Sequence, residues 1–237
     1  MSALKNNILK LKSFFKYFLI GYAALDVLTI VSYLVYMIIY NVKYKNEYGA
    51  GYSIYSASNF VTYIISSLVG LAFLVLLIYL VIKDKQKEAK FLFTGWFIYN
   101  LFTRFYNSLD GINTMIWGSV LSGLFSLFTT LSLLFAMGAI MLEVFNGNKK
   151  LSDLSPLFFI IALGLSLISM IISFASLIAN AGGSYVFQFY QLFSMFMEPL
   201  FIVIMALVAY IYVTPQDSNS SASDNEEEKE ETEEATE

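Results

Sequence analysis

Few residues in this chain have the chemistry to act inside an apolar environment, and one of them stands apart. Arg104 is the only arginine, fourteen residues beyond Lys90 in an apolar and aromatic stretch, while every other basic residue is a lysine outside such stretches. A guanidinium does not deprotonate in proteins, so its charge has to be matched. Asn100, Thr103, Arg104 and Asn107 follow the i, i+3, i+4, i+7 spacing that puts four residues on one helical face. A charge at the centre of a bilayer costs about 2.5–3.5 kcal/mol or more on insertion scales, so that face must turn toward protein or water.

Depth points to a partner. At helical rise, Arg104 stands ~21 Å above Lys90, and Glu198 stands ~22 Å above Val213 at the far end of its own run. Asp26, ~15 Å above Lys16, is a less level match. Pairing Arg104 with Glu198 leaves Asp26 over, and a lone carboxylate at that depth must be protonated, hydrated or bound to a cation. A proton- or sodium-coupled carrier requires such a group. The alternative is a structural clamp between two helices, with Asp26 at a helix contact.

Gln188, Gln191, Ser194 and Glu198 share a second polar face, and Pro199 follows the acid at once. Proline frees the carbonyl four residues back, so a kink with a spare acceptor is expected there. Asp26, Asn100, Arg104, Asn107, Gln191 and Glu198 together form the candidate intramembrane polar site. Other features read as structural. Ser119, Ser122, Gly123 and Ser126, and Ser166, Ser169, Ser173 and Ser176, are small-residue stripes of the kind that lets helices approach closely. Tyr36, Tyr40, Tyr44, Tyr48, Tyr52 and Tyr55 read as an interfacial aromatic belt, with a stacking surface for a planar ligand as the alternative. Glu143 and Asp110 are expected at membrane edges, within reach of water.

The elements that must hold these residues are six apolar runs, at about residues 17–41, 59–82, 91–109, 115–145, 156–180 and 185–213. A hydrocarbon core of ~30 Å takes roughly 20 helical residues, and each run meets or nearly meets that length. With 58% hydrophobic and 14% charged residues, too little polarity remains for a soluble domain. The expected fold is an all-α integral membrane protein, a bundle of six transmembrane helices over residues 1–213, followed by a disordered acidic tail over 214–237. Asn146-Gly147 reads as a helix stop and Ser155-Pro156 as a cap with a first-turn proline. Asp110-Gly111-Ile112-Asn113 and Asn180 to Ser184 read as short loops joining antiparallel neighbours. No internal repeat is visible between the two halves.

Absences narrow the function. Histidine and cysteine are missing, which excludes serine–histidine proteolysis, thiolate chemistry and zinc held by imidazole or thiolate. No paired deep aspartates, phosphate loop or arginine-rich voltage sensor is present, so no enzyme activity, cofactor or metal is expected. Two readings remain: a membrane protein that binds or transports a small solute through a polar cavity formed by the first, third and sixth spans, or a non-catalytic scaffold or accessory subunit. The partners implied are the lipid bilayer and a small solute, proton or cation. The acidic tail offers a surface to a basic protein, and its sign argues against nucleic acid.

Lysine placement orients the chain. Lys5, Lys10, Lys12, Lys16, Lys83, Lys85, Lys87, Lys90, Lys149 and Lys150 fall on one side and only Lys43 and Lys45 on the other, which places both termini in the cytoplasm of a cell-membrane protein. The tail carries ten acids against Lys229. Impermeant thiol labelling tests the orientation: a cysteine at Tyr52 or Gly182 labels from outside, and one at Gln86 or Ser220 does not. The reverse pattern would invert every depth count above.

Overall fold

A computed structural model describes residues 2–48, 56–117, 120–147, 149–181 and 189–214, and every regular element among them is a helix. In chain order these are α1 (Ser2–Leu9), a 3-10 turn (Lys10–Phe14), α2 (Phe15–Tyr48), α3 (Ala57–Ile82), α4 (Gln86–Trp117), α5 (Val120–Asn146), α6 (Lys149–Ser152), α7 (Ser155–Ala181), α8 (Phe189–Val208) and a π turn (Ala209–Val213). Five stretches, within α2, α3, α5, α7 and α8 with its π turn, are long and apolar enough to cross a membrane. α4 has the length, with 32 residues, but Asn100, Arg104, Asn107, Asp110 and Asn113 keep it more polar than the others. α5 and α8 are the most enclosed of the five, α5 packed chiefly between α4 and α7, and α8 between α2 and α7.

Two expected boundaries move. α2 does not stop near residue 41 but continues to Tyr48, and Lys43 and Glu47 form an i, i+4 ion pair at 3.9 Å along the extension. Asp110-Gly111-Ile112-Asn113, expected as a loop, lies inside α4, which runs unbroken to Trp117. One glycine costs a helix interior only about 1 kcal/mol, less than leaving backbone groups unpaired in an apolar setting, so the helix runs through it. The Gly49-Ala50-Gly51 segment with Tyr52 and Tyr55, the side chains of Tyr44, Tyr48, Asp110, Ser119 and Ser122, residues 182–188 and the acidic tail all lie outside the described residues.

The helix stops obey local chemistry. Gly147 takes a left-handed φ of 64° and donates its amide to the Glu143 carbonyl at 2.8 Å, closing α5 at the expected Asn146-Gly147 step. Ser155 opens α7, yet its hydroxyl turns away from capping to reach the Ser152 carbonyl and the Tyr210 hydroxyl, each at 2.6 Å. At the end of α8, Thr214 donates both its amide and its hydroxyl to the Ala209 carbonyl, each at 2.8 Å, which widens the last turn into π geometry.

Apolar burial is uneven along the bundle. Leu19, Leu77, Phe93, Met137, Phe159 and Met205 are fully enclosed, and all sit in the half adjoining the lysine-rich segments. Phe15, Phe93 and Tyr212 stack in this half, with Phe93 and Tyr212 nearly parallel at 4.6 Å. A polar knot closes the same end. Ser152 donates to the Glu143 carboxylate, Ser155 links Ser152 to Tyr210, and Lys5 lies 5.8 Å above the Tyr210 ring. Glu143, expected to reach water at a membrane edge, is instead buried, because Ser152 supplies the donor its carboxylate needs. At the opposite end Tyr33, Tyr36, Tyr40, Tyr63 and Tyr190 pack on one another across α2, α3 and α8, with ring separations from 4.4 to 6.2 Å.

Removing the Tyr210 hydroxyl takes one buried hydrogen bond out of this knot and leaves the Ser155 hydroxyl only its bond to the Ser152 carbonyl. Tyr210→Phe should therefore lower unfolding stability in detergent by about 1–2 kcal/mol. Tyr106→Phe, at a strongly exposed position, should leave it unchanged, and equal effects of the two would remove the knot as a stabilising element.

Candidate functional site

Arg104 projects from the inner face of α4, the face that carries Ala89, Phe93, Phe97 and Asn100 at steps of three and four residues. Tyr99, Phe102, Phe105 and Tyr106 populate the outer face and are exposed. The neighbours of Arg104 bond within their own helix: Asn100 donates to the Trp96 carbonyl at 2.7 Å and Thr103 to the Tyr99 carbonyl at 2.9 Å. The guanidinium is thus left to reach across the bundle.

It reaches Glu198. Nη1 donates to Oε1 at 2.6 Å and Nη2 to Oε2 at 2.9 Å, a parallel two-bond fork joining α4 to α8 at the depth match drawn from the sequence. The Phe201 ring lies 4.8 Å from the guanidinium carbon, so the cation is held between a carboxylate and an aromatic face. The Arg104 side chain is 16% exposed and that of Glu198 38%, so the pair is open on the carboxylate side. What it opens onto is a cavity of about 270 Å³. Pro199 adjoins this wall, and the carbonyl deprived of its amide partner belongs to Met195, which also lines the cavity.

The rest of the lining is largely hydroxylic. α5 contributes Ser126, Thr129 and Thr130, α7 contributes Ser166, Ser169 and Ser173, and α8 contributes Ser194. The serines expected to serve helix packing thus face a void beside an ion pair. Ser176 does not line it. Thr129 and Ser194 donate to the carbonyls of Phe125 and Gln191 in their own helices. Ser166 is 4% exposed and its hydroxyl has no hydrogen-bond partner among the described residues. A buried hydroxyl left unmatched costs about 1–3 kcal/mol, so something polar belongs in the space it faces.

The candidate residues divide. Arg104 and Glu198 meet, and Asn100 supports α4 from one turn away. Gln191 sits two turns before Glu198 and does not reach the cavity, and the Asn107 side chain lies outside the described residues. Asp26 is elsewhere: it faces a separate, mostly apolar cavity between α2, α3 and α4. Tyr22, Phe201 and Trp96 form the wall between the two spaces, with ring separations of 6.2 and 6.1 Å. The single cavity expected among the first, third and sixth spans is therefore two cavities, and the one holding the ion pair is bounded by α4, α5, α7 and α8. The hydroxyl side of that site was missed because serine repeats carry the same pattern whether they pack or line a void. Among the described residues no three acidic side chains cluster to hold a metal.

No protein-family model, curated protein or solved structure matches this chain. The side chains alone carry the functional reading.

The fork makes Arg104 and Glu198 energetically inseparable. Arg104→Ala or Glu198→Ala alone should destabilise the fold by on the order of 1–4 kcal/mol, because each strands an opposite charge. The double replacement should cost clearly less than the sum, and additivity within ~0.5 kcal/mol in a double-mutant cycle would show that the pair is not coupled.

Proposed function

We propose that this chain is a multi-pass protein of the cell membrane, with both termini cytoplasmic, that binds a small polar solute in the hydroxyl-lined cavity and carries it across the bilayer. The observation carrying this reading is the buried, unmatched Ser166 hydroxyl facing a void that also exposes one edge of a charged fork. A packed structural clamp would bury that edge against side chains and would give Ser166 a protein partner.

The chemistry of the wall selects the solute. Arg104 and Glu198 cancel, so no net charge is offered to a ligand. The fork keeps unused N–H groups on its outer side and spare lone pairs on both carboxylate oxygens. Serine and threonine hydroxyls each donate and accept. A ligand with mixed donors and acceptors and no net charge satisfies all of them, and a volume of about 270 Å³ holds a small molecule of that kind.

The packing supplies a direction. The enclosed core and the polar knot shut the lysine-rich half, while the cavity lies beyond them toward the other end of the bundle. With the lysines inside, this is a conformation sealed to the cytoplasm. Release inward requires the Glu143–Ser152–Ser155–Tyr210 knot to open, and the Pro199 step and the π turn in the last helix are places where such bending costs least.

Mass spectrometry of small molecules co-purifying from a native membrane extract tests the assignment. Wild-type protein should retain an uncharged polar solute that Ser169→Phe, whose ring fills the cavity, does not. A variant that folds and retains the same molecules would contradict the site, as would a wild-type protein that retains none and takes up no polar solute in proteoliposomes.

A further inference from the structure

The second cavity has a different chemistry and a different approach. It encloses about 550 Å³ between α2, α3 and α4, and nearly all of its lining is apolar or aromatic. Asp26 is the one carboxylate on its wall, with no hydrogen-bond or ion-pair partner among the described residues. Tyr22, Phe73 and Trp96 line the same cavity with ring surface. Among the described residues, the charges that act alongside Asp26 on Tyr22 are those of Arg104 and Glu198, which lie beyond the Tyr22–Phe201–Trp96 wall and neutralise each other. Asp26 is the one charged side chain in the cavity's lining.

The void is built by glycine. Gly70 on α3 and Gly95 on α4 both line it, and a Cβ added at either would meet no heavy atom within 4 Å. In helix pairs that exploit glycine for close approach, a neighbouring backbone fills that position. Here the missing side chains leave space. Phe91, Tyr99 and Val69 at the rim are strongly exposed on the outer surface of the bundle. The cavity therefore opens sideways, where hydrocarbon would lie, and its occupant arrives through the lipid.

We infer that the Asp26 cavity is a binding site for a lipid-soluble organic cation, an amine or onium group on an apolar or aromatic body. The carboxylate supplies the counter-charge, the ring faces stabilise the cation through their quadrupoles, and the apolar walls take the body. An anion meets only repulsion, and a neutral acyl chain leaves Asp26 unmatched. This site is independent of the hydroxyl-lined cavity and would stand if that assignment failed.

Tetraphenylphosphonium is the probe, and tetraphenylborate, of the same shape and opposite charge, is the control. The full chain, held in phosphatidylcholine nanodiscs and carrying Trp117→Phe so that Trp96 is the remaining tryptophan, is titrated by equilibrium dialysis while Trp96 emission is followed. The expected result is saturable binding of one cation per chain with a change in Trp96 emission, and no competition from tetraphenylborate. Asp26→Asn should weaken binding at least tenfold. Gly70→Leu and Gly95→Leu should each abolish it at an unchanged melting temperature, since the open space accepts the added atoms; if Asp26→Asn fails to fold, these two variants decide. Equal binding of tetraphenylborate would make the occupant an acyl chain and overturn the inference. So would unchanged affinity in Asp26→Asn, retained binding in a folded glycine variant, absence of saturable binding in the parent, or a parent that is dimeric where Gly70→Leu is monomeric, which would make a second copy the occupant.

Discussion

A guanidinium that cannot shed its proton, placed midway along a helix in an apolar bundle, constrains everything around it. Arg104 has to be answered by an opposite charge, and the answer comes from Glu198 on α8 through two parallel bonds. Those bonds set the rotation of α4 and α8 about their axes, because a turn of either helix by one residue, about 100°, would carry its charge out of reach. With the rotation set, Phe93, Phe97 and Asn100 turn inward and the ring of exposed aromatics turns outward. Phe201 is drawn against the guanidinium, and with Tyr22 and Trp96 it becomes the partition of the interior. Two cavities of opposite character follow from that one partition.

The bundle divides along its length as well as across it. Its lysine-rich half is close-packed, with large side chains interlocked around Met137 and Met205 and a buried polar knot in which Glu143, Ser152, Ser155 and Tyr210 satisfy one another. Its middle is looser. There the side chains are small and hydroxylic, and Ser166 remains unmatched. Polar groups that satisfy one another hold a structure shut, whereas polar groups left unsatisfied make room for something else. The contrast between the two halves is the physical basis for reading one as a gate and the other as a site.

Much of the architecture was legible from residue spacing. Long apolar runs give helices, and the partner of a lone buried arginine can be found by counting residues from either membrane edge. The Gly147 stop follows from the left-handed backbone that glycine alone adopts freely. What stayed hidden depends on contacts between helices. The loop expected at Asp110-Gly111 is helical, since one turn-prone dipeptide does not outweigh the cost of unpaired backbone. Glu143 looked like an edge residue because nothing local shows that Ser152, across the end of the helix, supplies its donor. The serine repeats of α5 and α7 read as packing surfaces, and Gly70 and Gly95 belong to no sequence pattern, because a small or missing side chain has one appearance in sequence and two in space. Asp26 enters the candidate site as the intramembrane carboxylate left over once Arg104 and Glu198 pair, and position along a helix carries no information about which side of a partition a residue faces.

The central claim is that the Arg104–Glu198 fork borders a polar, occupied space rather than sealing a dry helix contact. An electron cryomicroscopy structure of the full chain in a lipid nanodisc, at a resolution that shows ordered water, addresses it most directly. The account predicts density for water or a small solute within hydrogen-bond distance of the Ser166 hydroxyl and the open edge of Glu198. A collapsed, empty contact, with Ser166 bonded to a carbonyl of its own helix and α5 and α7 closed over the ion pair, would contradict it.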